Sequence, residues 1–217
     1  MMTLRSHLRP TGSLHLPVIR GPRPRVHRAL GWRVKNWLTH RWRELPATLA
    51  VWLARRLASV PVITSALRLR VLHGDGSVTD LGVVSRRVVT TAGVNYIVDA
   101  FQNTVEVENM KYHGFGTGTG AEASGDTAHG TEMTTQYATD NTRPTGTTTE
   151  GASANIYRTV ATFSPDSGGT IAITEHGVFS ATSSGTLLDR SVFSAVNVVA
   201  ASDSIQSTYE ITFSAGS

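Results

Sequence analysis

The 217-residue chain contains no cysteine, so neither disulfides nor thiolate metal sites can help hold it together. Long apolar runs are also missing. The one candidate for a membrane or export segment, Leu45 to Ala54, has ten residues and is followed at once by Arg55 and Arg56. That is about half of what a bilayer span needs, and it lies too deep in the chain for a signal peptide. A soluble, unprocessed protein without a membrane span is expected, although the same run would suit an amphipathic surface helix. Acidic residues are nearly absent from the first third, where Glu44 is the single one among residues 1–70.

What fills that first third is positive charge. Residues 1–70 hold fourteen of the twenty Lys and Arg, a net of +13, whereas residues 71–217 carry six basic and fifteen acidic residues, a net of −9. All four tryptophans (Trp32, Trp37, Trp42, Trp52) lie in the basic part, while Gly, Thr and Ser dominate the acidic one. The chain therefore reads as a cationic, aromatic arm over 1–66 joined to one polar domain over 67–217. A body of about 150 residues can bury roughly two thirds of its unfolded surface in a single core.

The arm divides in two. Pro10, Pro17, Pro22 and Pro24 with Gly12 and Gly21 prevent long helices before residue 27, so this piece should need a neighbouring subunit to order it. From Arg28 the period becomes helical. Leu30, Val34, Trp37, Leu38, Trp42 and Leu45 share one face, which is expected to pack inward. Pro46 suits the first turn of a second short helix reaching about Ala58. Read more sharply, the arm is a basic element that docks on an acidic surface through Arg20, Arg23, Arg25, Arg28, Arg33, Trp37, Arg41, Trp42, Arg43, Arg55 and Arg56.

The body opens with alternation. Leu67, Leu69 and Val71 face one way and Arg68 and Arg70 the other, before Asp75-Gly76 signals a hairpin into a strand over Val78 to Val89. Thr91 then suits the N-cap of a short helix whose Val94, Ile97, Val98 and Phe101 should be buried on one side. Strands follow over Met110 to Gly116, Asn155 to Phe163, Thr170 to Ser180, Thr186 to Phe193 and Ser204 to Phe213, separated by recurrent turn residues. The fold class is mainly β: an antiparallel β-sandwich or jelly-roll-like body with one short helix, preceded by a basic, partly extended and partly helical arm. Residues 131–149, nine of them threonine, should form an exposed loop or edge ordered against a neighbour.

No catalytic, cofactor or metal site emerges. Gly116-Thr117-Gly118-Thr119-Gly120 resembles a phosphate cradle, yet it lacks the Lys-Ser/Thr ending and is followed by Glu122 and Asp126. The eight histidines show no ligand spacing, and the acids lack the spacing of a calcium loop. Glu175-His176 could be a catalytic pair, but with no serine elbow and no cysteine it has no obvious nucleophile. The simpler reading is a strand-end polar pair in which Glu175 bonds Arg190 on the next strand, and alanine at Glu175 or His176 should leave particle formation largely intact.

Five segments taken together carry a resemblance. They are Gly114-Phe115-Gly116-Thr117-Gly118-Thr119; Gly125-Asp126-Thr127-Ala128 with Glu132; Ile173-Thr174-Glu175-His176-Gly177-Val178-Phe179; Gly185 through Phe193; and Asp203-Ser204-Ile205 leading into Tyr209 through Phe213. In order and spacing they resemble a β-domain found in structural proteins of tailed bacteriophages, in capsid-associated proteins and tail appendages alike. The resemblance covers roughly residues 67–217 and leaves the arm unplaced. It implies a non-enzymatic virion component, first of all a capsid decoration or cement protein whose arm binds other virion proteins such as the major capsid protein. A head-to-tail connector, tail or baseplate component is the alternative. Homo-oligomerisation, for example as a trimer, and nucleic-acid binding by the arm are further expectations.

Overall fold

A computed structural model describes residues 26–40, 49, 52, 53, 62–86, 89–137 and 140–215. Among the described residues the elements with defined bounds follow in the order β1 (Val26–Arg28), α1 (Leu30–Thr39), β2 (Val62–Leu72), β3 (Val78–Ser85), α2 (Thr91–Phe101), β4 (Tyr112–Gly116), β5 (Thr147–Glu150), β6 (Ile156–Phe163), β7 (Thr170–Phe179), β8 (Leu187–Val199) and β9 (Ser204–Ser214). They form a six-stranded sheet, β1-β3-β2-β9-β6-β5, and a three-stranded sheet, β4-β7-β8. Every pairing is antiparallel except β1 with β3. The fold is a mainly β sandwich.

Alternation decides which side of the larger sheet faces inward. Leu67, Leu69 and Val71 of β2 and Ile205 of β9 are buried, while Arg68 and Arg70 point to solvent. They meet Phe115, Ile173, Phe193, Val196 and Val198 of the smaller sheet in one core. Along β7 and β8 the alternation fails: Ile173 through Phe179 and Leu187 through Ser194 are buried at every position. Both faces of that sheet are therefore covered, one by the sandwich core and the other by loop segments and α2.

Several expectations change. The boundary expected at 66/67 falls inside β2, whose ladder with β9 runs from Val62 to Leu72. The strand expected to reach Val89 ends at Ser85, with Val89 left in an isolated bridge to Asp189. Nor does the arm wait for a neighbour from residue 26 onward: β1 pairs with β3, and α1 packs on β3 and β8. Of the second arm helix, Leu49, Trp52 and Leu53 are described; they are helical and exposed, and the rest lies outside the described residues.

Helix α1 presents the opposite side to the one its apolar periodicity selects. Leu30 is 70% exposed, and Val34, Trp37 and Leu38 are exposed with it, whereas Trp32 and Asn36 turn inward. Hydrogen bonding explains the choice. Asn36 Nδ2 donates to the Val84 carbonyl at 2.8 Å and its Oδ1 accepts from the Ser194 N–H at 2.9 Å, while Trp32 Nε1 donates to the Ala195 carbonyl at 2.9 Å. Strand β8 is an edge of the smaller sheet, and these side chains satisfy backbone groups that would otherwise stay open there.

Helix α2 is capped one residue earlier than expected, by Thr90, whose hydroxyl accepts from Gly93 N at 2.9 Å and donates to the Leu187 carbonyl. Its inward side is Gly93, Tyr96 and Ile97. Val94, Val98 and Phe101, expected in the core, are exposed, Phe101 at 85%. Helix and strand approach so closely at Gly93 that an added Cβ would stand 2.6 Å from the Leu188 carbonyl oxygen. Gly93→Ala is thus expected to lower stability by about 1–3 kcal/mol through overpacking, despite alanine's better helix propensity. A thermal melt checks it; an unchanged or higher Tm would refute the tight contact.

The Thr-rich segment is also not simply an exposed edge. Met133 and Tyr137 enter the core, and Arg143 is buried. The Tyr137 hydroxyl accepts from Phe115 N at 2.9 Å and donates to Glu132 at 3.1 Å, and Arg143 pairs with the same carboxylate. The chain's own polar anchors order most of this stretch, which leaves β5 (Thr147–Glu150) as its exposed edge.

Candidate functional site

The densest group of chemistry-bearing side chains lies on β7, β8 and β4, where burial on both faces encloses Glu175, His176, Asp189, Arg190 and His113. Glu175 sits at its centre, with no exposed surface. Its carboxylate accepts from Gly118 N at 3.0 Å, Gly130 N at 3.0 Å and Thr131 N at 2.7 Å. Arg190 adds Nε at 3.0 Å and Nη2 at 2.7 Å, then turns Nη1 to Asp126 at 2.9 Å. The Glu175–Arg190 pair expected between adjacent strands is present.

This geometry accounts for the glycine-rich loop. A Cβ at Gly118 would stand 2.5 Å from Glu175 Oε1, so only glycine lets the backbone close on the carboxylate. Of the loop's N–H groups, that of Gly118 holds the chain's own anion, joined there by Gly130 and Thr131 from the following segment. Burial pushes the Glu175 carboxyl up, but His129, whose Nδ1 lies 3.4 Å away, the Thr131 N–H and Arg190 outweigh it and hold the group well below the ordinary carboxylate range.

Beside it lies a histidine pair that the sequence does not announce. His113 Nδ1 is 2.9 Å from His176 Nε2 and 2.7 Å from Ser207 Oγ, and His113 Nε2 is 3.1 Å from Thr159 Oγ1. Burial pushes His113 down to about 3 and His176 well below its usual value, so both rings are neutral. The Ser207–His113 contact has the atoms of a nucleophile and a base. Both residues are fully buried, and Ser207 also bonds the Ala161 carbonyl, so the contact functions as a link between the two sheets.

No known family model matches the chain, and neither does any curated protein. Among the described residues no group of three or more His, Asp or Glu could hold a metal ion, and no helix is long and apolar enough to cross a membrane.

On the other side of β8, Asp189 accepts from Ser65 Oγ at 2.8 Å and from Ser191 Oγ at 3.2 Å. Burial pushes its carboxyl up to about 7. Folding then favours the protonated form, and the stability this gives is present at low pH and lost as pH rises from about 4 to about 7. Asp189→Asn, which mimics the protonated acid, should remove that slope. Urea denaturation of both proteins across this window measures it, and parallel pH profiles would show that Asp189 titrates normally.

The arm residues expected to bind a partner are placed only in part. Arg33 and Trp37 lie exposed on α1, with the Arg33 guanidinium over Gly82, and Arg28 lies in β1. Arg20, Arg23, Arg25, Arg41, Trp42, Arg43, Arg55 and Arg56 lie outside the described residues. Sequence reading missed Trp32 and Asn36, which fix α1 to the body. Their spacing of four on the side away from the leucines was the available signal.

Proposed function

We propose that this chain is a non-enzymatic structural protein of a tailed-phage virion, self-associating and fastened to other virion proteins by its basic N-terminal arm. A capsid decoration or cement role is the leading form, and a connector, tail or baseplate role the alternative. One contrast carries the reading: polar groups capable of chemistry are enclosed and spent on backbone, whereas large apolar side chains of both helices stand in solvent. Enzymes aim such polar groups into an accessible cleft, while exposed apolar patches mark contact surfaces. A net charge of +13 in residues 1–70 suits an acidic shell, and tethering through an arm adds affinity without a large compact interface.

Quantitative mass spectrometry of purified particles tests the proposal. Hundreds of copies per particle would establish decoration, and six, twelve or a few dozen a tail or connector position. Absence from particles would overturn the virion reading altogether.

A further inference from the structure

Two apolar surfaces of this molecule complement each other. One lies on α1: Leu30, Val34, Trp37 and Leu38 stand exposed along it, spanning about 12 Å at the helical rise of about 1.5 Å per residue. Arg33 and Lys35 stand exposed beside them.

The other is concave and runs along α2. A cavity of about 550 Å³ opens between α2 and β9, lined by Phe101, Val107, Met110, Tyr157 and Ile211 among others. It meets a second cavity, of about 230 Å³, that continues past Val94, Val98 and Ile63, with Ile97, Phe101 and Phe213 common to both. Asp99, Glu106 and Glu108 are exposed on α2 and on the turn that follows it. The basic-flanked apolar ridge and the acid-flanked apolar groove are thus alike in polarity and opposite in charge.

We propose that the α1 ridge of one copy seats in the α2 groove of a second copy. The contact is head-to-tail, because ridge and groove are different surfaces of the same chain. Such contacts close into rings or continue as chains, according to the rotation between successive copies. The proposal rests on the self-association within the reading above and not on the virion setting, so purified full-length protein suffices to test it.

Sizing by light scattering on the wild type should give oligomers whose mass grows with concentration or stops at a ring. Phe101→Asp spoils only the groove and Leu30→Asp only the ridge. Each should be monomeric with an unchanged melting temperature, since both side chains are largely exposed. Val98→Lys provides a second groove variant should Phe101→Asp fold poorly. Mixing the ridge and groove variants restores one good interface per pair, so a one-to-one dimer that grows no further is expected. Three outcomes would overturn the proposal: a monomeric wild type, as when the chain's own Leu45–Ala54 segment or a foreign partner fills the groove; a ridge variant that still oligomerises, indicating groove-to-groove pairing; or mixed variants that stay apart.

Discussion

Glu175→Ala is expected to cost about 3–5 kcal/mol of folding stability, the range found when one member of a buried ion pair is removed. Whole domains are stable by only about 5–15 kcal/mol, so the variant should fold marginally. The effect has two parts. Arg190 keeps Asp126 but loses both bonds to Glu175, and the N–H groups of Gly118, Gly130 and Thr131 lose their shared acceptor. The expectation that alanine at Glu175 leaves particle formation largely intact therefore requires the variant's fold to survive this loss. Glu175→Gln should rescue little, because its amide NH2 would face donors where the carboxylate offers an acceptor.

Double-mutant analysis sharpens the test. Glu175→Ala with Arg190→Ala should cost clearly less than the two single changes added together, because the second removes a charge already deprived of its partner. Additive costs in urea denaturation, or a single-variant loss below about 1 kcal/mol, would mean that the network is held in some other way. The pH dependence has a definite sign as well. A carboxyl held below its ordinary range supplies stability above its unfolded value of about 4.3 and loses it as pH falls further. The advantage of the wild type over Glu175→Ala should therefore be full at neutral pH and shrink as pH falls below about 4, and a gap that stays constant across this window would refute it.

The second large effect concerns the arm. Deleting residues 1–25 should leave the Tm of the body unchanged, but deleting residues 1–60 should lower it by several degrees. The longer deletion takes away Trp32, which packs on the core, and Asn36, which bonds both the Val84 carbonyl and the Ser194 N–H. Orphaning buried backbone groups costs about 1–3 kcal/mol each, and in a domain of this size each kcal/mol is worth about 2–4 °C. Equal melting temperatures for the two truncations would show that α1 contributes nothing to the fold. The same pair separates anchoring from folding: a protein lacking 1–25 that stays folded but no longer joins particles would place the attachment in the proline- and arginine-rich start.

Strand β2 could be read from the sequence because burial on one face leaves a period of two. Leu67, Leu69 and Val71 against Arg68 and Arg70 state both the strand and its inward side. The Glu175–Arg190 pair was legible too, since both residues fall on strands that follow one another in sequence and pair antiparallel. What tertiary structure alone decided was the orientation of the helices and the occupancy of the glycine loop. An apolar stripe reports that a surface avoids water, not which surface covers it. In α1 the bonds of Trp32 and Asn36 to a sheet edge outweighed the leucine stripe and turned it outward. In α2 a contact between Gly93 and Leu188 set the depth of the helix and left Phe101 in solvent. The Gly118 N–H of the glycine loop was likewise committed by the approach of a strand 57 residues away, through a hydrogen-bond geometry that no local pattern encodes.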